Sequence, residues 1–169
     1  MGAVINMLPQ SGGGIKGSTM FKWMIEGVVD ASQAFGDMVG NVETNGRNNL
    51  SSISSDGYLR IYNTSGGNGR SMISTNNYLP KGTYDYVLFH IVSLTTTTAN
   101  QPLTFGGKTS KDATAPSTGA YSLGSLSLSD KWVAAPLAAF NAASGNHYFA
   151  FGGTVDCTID QIYFVKVKS

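Results

Sequence analysis

The sequence predicts an all-β fold, an antiparallel sandwich of two sheets, and three observations support that expectation. From Leu50 onward, short apolar runs are separated by clusters of Gly, Asn, Asp and Ser, which is the spacing of strands and tight turns. Charged residues make up only 12% of the chain while Ser, Thr, Asn and Gly are abundant, so polarity comes from the small neutral side chains of a turn-rich β-protein. Late in the chain, Val155, Cys157 and Ile159 alternate with Thr154, Asp156, Thr158 and Asp160, which gives a strand one apolar and one polar face. At 169 residues the chain is long enough for one domain with its own core, and 1-169 is read as one domain, with 1-18 an N-terminal arm or first strand.

Taken in order, the first element is the ambiguous one. Met20, Trp23, Met24, Val28, Ala31, Phe35 and Met38 follow helical spacing, while Gly27, Gly36 and Gly40 weaken a helix, so one short helix within 19-40 is the exception allowed to the all-β reading. Leu50 to Ser54 and Tyr58 to Tyr62 flank Asp56-Gly57, a two-residue loop able to supply the positive φ angles of a primed hairpin turn. Gly66-Gly67-Asn68-Gly69 then reverses the chain before Arg70 to Ser74, and a further strand pair is expected there. After Pro80-Lys81-Gly82, the nearly continuous apolar run from Tyr84 to Val92 predicts a strand at the centre of a sheet, covered on both faces. Leu103-Thr104-Phe105 reads as a short strand and Gly106 to about Gly119 as a long polar loop. Leu123, Leu126 and Leu128 alternate imperfectly with Ser, and Trp132-Val133 leads into an Ala-rich stretch to Ala143 that suits a strand or a helical turn equally. Ser144-Gly145-Asn146 turns the chain into His147 to Phe151, the Val155 to Ile159 strand follows, and Ile162 to Val165 ends the apolar pattern.

Several function classes fall away on composition. Eleven basic against ten acidic residues leave a net charge of +1, which removes the electrostatic case for nucleic acid or an anionic membrane. Cys157 is alone, so no intrachain disulfide forms, and its alternation with Val155 and Ile159 predicts a buried apolar thiol rather than a nucleophile. His90 lies in an apolar strand and is expected to be a hydrogen-bonded core or interface histidine. No apolar run approaches the roughly 20 residues of a membrane span, the N-terminus lacks the pattern of a secretory signal, and Asn6 stands where myristoylation wants Ser or Thr. Gly12 to Gly14 and Gly66 to Gly69 lack the Lys-Ser/Thr ending of a phosphate loop and are read as turns.

Asn6-Met7-Leu8-Pro9-Gln10-Ser11, the glycines at 12 to 14, Trp23, the Tyr58 to Tyr62 strand, Pro80 to Tyr84, Gly145-Asn146, Tyr148 to Phe151 and Ile159-Asp160-Gln161-Ile162-Tyr163 follow one another in a telling order. That order resembles the jelly-roll carbohydrate-binding modules of bacterial glycoside hydrolases and the similar domains of bacteriophage tail and appendage proteins. The resemblance implies a jelly-roll sandwich and a non-enzymatic structural or binding protein of a bacteriophage virion, in its tail, fibre or head appendage. The alternative is a polysaccharide-binding accessory module, and the third reading is a glycan-active enzyme. In the virion reading the chain is made in the host cytoplasm, and its partners are other virion proteins and itself, as a homo-oligomer with a trimer favoured, with cell-surface glycan as a further ligand.

Sugar rings present apolar faces, so a carbohydrate site needs exposed flat aromatics beside amides, hydroxyls or carboxylates. Tyr58, Tyr62, Tyr78, Tyr84, Tyr86, Tyr121, Trp132 and Trp23 form the aromatic pool, and Arg60, Asn63, Asn76, Asn77 and Gln101 are polar neighbours. Tyr62 and Tyr78 stand next to Asn-rich turns and are the expected ligand-binding rings, with Asn63, Asn76 and Asn77 beside them, whereas Trp132 is expected to pack between the sheets. No pair among the ten acidic residues is nominated for glycoside hydrolysis, so catalytic residues are expected to be none. No cofactor is expected; a structural calcium ion, which such modules often hold, would draw on Asp156 and Asp160.

Overall fold

The computed structural model describes residues 19–25, 28–29, 38–42, 49–53, 58–63, 71–75, 77–96, 102–110, 115–124 and 127–167. The described strands are β1 (Thr19–Ile25), β2 (Val28–Val29), β3 (Met38–Val42), β4 (Asn49–Ile53), β5 (Leu59–Asn63), β6 (Ser71–Thr75), β7 (Tyr86–Thr96), β8 (Thr104–Lys108), β9 (Thr118–Ser122), β10 (Leu128–Pro136), β11 (Tyr148–Gly153) and β12 (Val155–Lys166), with a helix α1 (Ala138–Ala142) between β10 and β11. All the described pairings are antiparallel. One sheet runs β10-β7-β12-β1-β2, with β5 also pairing β12 and carrying β4; the other runs β3-β6-β11-β8-β9.

Within these sheets, β5-β12-β7-β10 and β6-β11-β8-β9 are consecutive neighbours. From β5 to β12 the chain visits the first sheet, the second, the first, the second twice, the first, the second and the first again. That is the winding of a jelly roll, and it is the expected fold. The long strand β12 organises the first sheet. It pairs with β7 over nearly its whole length, while its other edge meets β5 at Asp156 to Ile159 and β1 at Gln161 to Lys166.

The faces follow from period-two alternation. Val87, Phe89 and Ile91 of β7, Val133 and Ala135 of β10, Leu59 and Ile61 of β5, and Val155, Cys157 and Ile159 of β12 point inward and are buried in one core with Ile73, Phe105, Phe149 and Phe151 of the second sheet. In β12 the phase then changes, because Ile162 and Phe164, not Gln161 and Tyr163, are the next core residues. The register of β12 against β7 slips on both sides of Ile159 and resumes at Gln161 opposite His90, so Val92 and Asp160 are skipped by the ladder. Such bulges twist a strand and re-aim the side chains beside them.

Several local expectations are corrected. Residues 19–25, 28–29 and 38–42 are strands, so the described residues hold no helix within 19-40; pairing with β12 and β6 overrides the helical spacing of the apolar residues. β4 and β5 form the expected hairpin, but Ile53 pairs with Leu59, one residue away from the register an Asp56-Gly57 two-residue turn would impose. β5 and β6 are not a pair: the chain between them passes from one sheet to the other. Gly106 and Gly107, read as loop, belong to β8, where the lack of a side chain is required, since a Cβ on Gly106 would lie 2.7 Å from the Ala120 Cα. The Ala-rich stretch divides into both of its readings, β10 ending at Pro136 and α1 starting at Ala138. Proline has no N–H to continue a ladder, and Leu137 N instead donates to the Asp85 carbonyl.

The short helix closes one end of the sandwich. Phe140 is fully buried and meets Phe149 with centroids 6.0 Å apart, and the Lys81 ammonium stands 3.7 Å over its ring while donating to its carbonyl at 2.6 Å. Asn141 ties the same end together, its Oδ1 accepting from Gly82 N and its Nδ2 donating to the Tyr84 carbonyl. His147 is buried here with Nδ1 lacking a partner. Burial, and then the charge of Lys81, hold its pKa below the ordinary 6.5, against a smaller raising effect of a hydrogen bond with the Gly145 backbone.

Two outcomes follow from this packing. Gly119 has φ +55 and a Cβ there would sit 2.3 Å from the Phe140 nitrogen, whereas Gly124 has φ +70 with open space around it. Gly124→Ala is therefore expected to cost about 1 kcal/mol of backbone strain and Gly119→Ala several times that, measured by urea unfolding. Because the folded pKa of His147 is lowered, the unfolded chain takes up the proton more readily. Stability is then complete above the ordinary 6.5 and falls as pH drops below it. Thermal melts at pH 7 and pH 5 should show a smaller loss of stability toward pH 5 in His147→Gln than in the wild type.

Candidate functional site

The outward residues of the first sheet form the candidate site. Opposite Val133 and Ala135 on β10 lie Trp132 and Ala134; opposite Val87 and Phe89 on β7 lie Leu88 and His90; and on β12, beyond the bulge, Tyr163 and Val165 face out. The register stacks these residues in rows across three hydrogen-bonded strands: Trp132, His90 and Gln161; then Ala134, Leu88 and Tyr163; then Pro136, Tyr86 and Val165. Leu88, Tyr163 and Val165 are the buried floor of this outer cluster, with Tyr86, Trp132 and Ala134 packed against it and partly exposed.

Three rings pack against one another on this face, tilted rather than coplanar, with Tyr163 in the floor and Trp132 above it. The Trp132 ring lies 5.0 Å from His90 at 37° and 6.1 Å from Tyr163 at 33°. Polar groups border these rings. The Tyr163 hydroxyl donates to Gln161 Oε1 at 2.6 Å, and the His90 ring lies between two carboxylates, with Nδ1 2.7 Å from Asp160 Oδ1 and Nε2 3.0 Å from Asp130 Oδ1. The His90 and Asp160 side chains are 13% and 17% exposed, and that of Asp130 is 91% exposed. Asp130 has φ +51, a left-handed conformation that aspartate tolerates better than most residues.

Toward the other end of β12 the same face carries Tyr62, Arg60, Asp156 and Thr158, since Leu59 and Ile61 point into the core. Arg60 makes a bidentate pair with Asp156, both contacts 2.9 Å, and its guanidinium lies 4.3 Å from the Tyr62 ring centroid. Asp156 to Tyr163 spans roughly 20 Å of strand, so the aromatic and polar groups form a track rather than a single pocket.

The residues nominated from sequence are not gathered in one place. Tyr62 is half-buried on the track just described. Tyr78 is exposed, at 46%, but stacks 4.6 Å from Tyr148 at the first residue of β11, the far end of the sandwich from the β11–β12 turn beside which Tyr62 lies. Asn77 is exposed next to Tyr78, the backbone of Asn63 pairs with Asn49, and Asn76, Gln101 and the side chain of Asn63 lie outside the described residues. Asp156 and Asp160 face the same side of β12, but one holds Arg60 and the other His90, and among the described residues no group of three or more His, Cys, Asp or Glu side chains is disposed to hold a metal ion. Of the other aromatics, Tyr84 packs on Phe164 and Tyr121 stacks on Phe105, each against the core. Trp23 falls where β1 slips against β12, between Lys22 and Met24.

Trp132 is a correction. Expected between the sheets, it stands on the outer face, because Val133 and Ala135 take the inward positions of β10 and alternation turns their neighbour outward. His90 is hydrogen-bonded as expected, though on the outer face rather than in the core. The signal that could have found the site is the phase change in β12, from apolar residues at 155, 157 and 159 to apolar residues at 162 and 164. It marks a bulge and places Asp160 against the neighbouring strand.

No protein-family model matches the sequence, and no curated protein matches it. Among solved structures, the chain is similar to a family 29 carbohydrate-binding module at 11% identity and a TM-score of 0.49, covering 89% of this chain and 90% of that one. It is similar also to a low-affinity xylan-binding module of family 86 from Roseburia intestinalis, at 11% identity and a TM-score of 0.46, covering 87% and 93%. A third is the C-terminal family 6 module of a marine laminarinase from Zobellia galactanivorans, at 12% identity and a TM-score of 0.34, covering 77% and 99%.

Cys157, below the track, is fully buried, and burial followed by the nearby Asp156 carboxylate pushes its thiol pKa far up. The native protein is therefore expected to be inert to a thiol reagent such as an aromatic disulfide at pH 8 and to react fully once unfolded in guanidinium; fast reaction of the native protein would contradict this placement.

Proposed function

We propose that this protein binds a polysaccharide chain along the outer face of its first sheet, as a non-catalytic module. The observation that carries the reading is the cluster of Trp132, His90 and Tyr163 bordered by Gln161, Asp130 and Asp160. The partly exposed ring of Trp132 offers contact to the C–H faces of pyranoses, and the surrounding amide and carboxylate oxygens accept from sugar hydroxyls. The rings are fixed by hydrogen-bonded strands rather than loops, so little ordering entropy is lost on binding. The track toward Arg60 and Tyr62 gives an extended ligand further contacts. The two partly buried carboxylates of β12 already hold basic side chains, which suits a surface that recognises rather than cleaves.

The resemblance to phage appendage domains adds a setting to this reading. On a virion, the same face would engage glycan at the host surface, with the chain in a homo-oligomer. A discrete trimer in light scattering supports that setting, and a monomer supports an accessory module.

Affinity electrophoresis against a panel of soluble polysaccharides tests the function itself. The wild type should be retarded by at least one of them, Trp132→Ala should weaken that binding about tenfold or more, and Tyr78→Ala, at the far end of the sandwich, should leave it unchanged. Circular dichroism and melting curves confirm that each variant is folded. Retardation equal in wild type and Trp132→Ala would overturn the assignment of the face.

A further inference from the structure

We propose that the Asp130, His90 and Asp160 cluster makes binding at this face pH-dependent, tightest when His90 carries its second proton; the inference rests on the glycan-binding reading above. Both ring nitrogens of His90 face carboxylate oxygens, at 2.7 Å and 3.0 Å. An imidazolium donates from both nitrogens and satisfies both carboxylates, whereas a neutral imidazole has one N–H and leaves the other nitrogen's lone pair pointing at an acceptor. The shorter distance is to Asp160, which is largely buried, so the retained proton belongs on Nδ1. The hydrogen bond that breaks is then the one to Asp130, which is almost wholly exposed and free to turn into water.

That hydrogen bond matters because of where Asp130 sits. It is the non-glycine residue with positive φ among the described residues, it is passed over in the β10 to β7 pairing between Ser129 and Lys131, and it lies two residues from Trp132 on the outermost strand of the sheet. Its side-chain bond with His90 ties this strained position to the centre of the sheet in addition to the pairing of its neighbours Ser129 and Lys131 with β7. With the imidazolium in place, Asp130 holds the His90 ring from one side and Asp160 from the other, and Trp132 stacks on a fixed ring. Once the proton leaves, the Asp130 side chain is released and a ligand must order it again on binding.

Among the described residues, Asp130 and Asp160 are the charged groups bonded to the ring. The charged residues of the strands packed against β7 are Asp130 and Lys131 on β10 and Asp156, Asp160 and Lys166 on β12. Asp156 is paired with Arg60 and Lys166 with Asp85, at opposite ends of the sheet, while the exposed Lys131 follows Asp130 in the chain and pairs with Ile91, next to His90.

The test pairs a titration of the ring with a titration of binding. Long-range proton–nitrogen NMR spectra of the full chain recorded at pH 5 and pH 8, with His90 assigned by the loss of its signals in His90→Asn, should show both ring nitrogens protonated where binding is tighter and Nδ1 alone where it is weaker. Between those two pH values the affinity for hydroxyethyl cellulose or xylan should fall about two- to fivefold, the size expected of one exposed ion pair. Asp130→Asn should flatten that dependence, because an amide can donate to the neutral Nε2. Equal affinity at both pH values, or wild-type dependence in Asp130→Asn, would overturn the inference and leave the glycan-binding reading standing. Absence of binding to either polysaccharide at both pH values would overturn the two together.

Discussion

Between the sheets, a chain of phenylalanines meets edge to face: Phe89 with Phe105 and Phe151, each pair 5.0 Å apart, then Phe151 with Phe149 at 5.3 Å and Phe149 with Phe164 at 5.2 Å. Edge-to-face pairs add roughly 0.5–1.5 kcal/mol each beyond the area they bury, and they do so in one geometry only. These rings come from both sheets, β7 and β12 on one side and β8 and β11 on the other, so they set the relative position of the two layers as well as filling the space between them. Once they are inside, the alternate residues of the same strands must be outside.

The outer face is in this sense a by-product of the core. Phe89 inward requires Leu88 and His90 outward, and Phe164 inward requires Tyr163 and Val165 outward. The bulge is where the two demands on β12 are reconciled. Its first half buries Val155, Cys157 and Ile159, its second half Ile162 and Phe164, and an unbroken strand could not bury both sets on one side. Skipping one residue on β12 and one on β7 resolves the conflict and leaves Asp160 against His90. A packing adjustment thereby assembles the most polar part of an otherwise aromatic surface.

The low charge of the chain fits the same picture. The described side-chain ion pairs are few and tied to particular points: Arg60 with Asp156 along the track, Lys166 with Asp85 at the start of β7, and His90 with its two carboxylates. Exposed pairs of this kind contribute little to stability individually. Their effect is to orient side chains, Arg60 over Tyr62 and His90 beside Trp132. At the opposite end, Lys81 and His147 sit around Phe140 beneath the helix, where burial opposes the charged form of both and the packing of one ring decides the electrostatics.

By itself the sequence determined the strand content, the β4 to β5 hairpin, the central position of the Tyr86–Thr96 strand, the inward set Val155, Cys157 and Ile159, and the exposure of Tyr78, because each is written in local alternation or turn chemistry. The order of its motifs carried the jelly roll as well. Tertiary structure alone decided the strands in place of a helix at residues 19–25, the separation of β5 from β6 into different sheets, and the gathering of Trp132, His90, Asp130, Asp160 and Tyr163 from three strands far apart in the chain. The physical reason is that neighbours across a sheet are chosen by register and register by the core. Tyr62 and Tyr78, chosen for the turns beside them, come to opposite ends of the sandwich, while residues 70 positions apart come within hydrogen-bond distance.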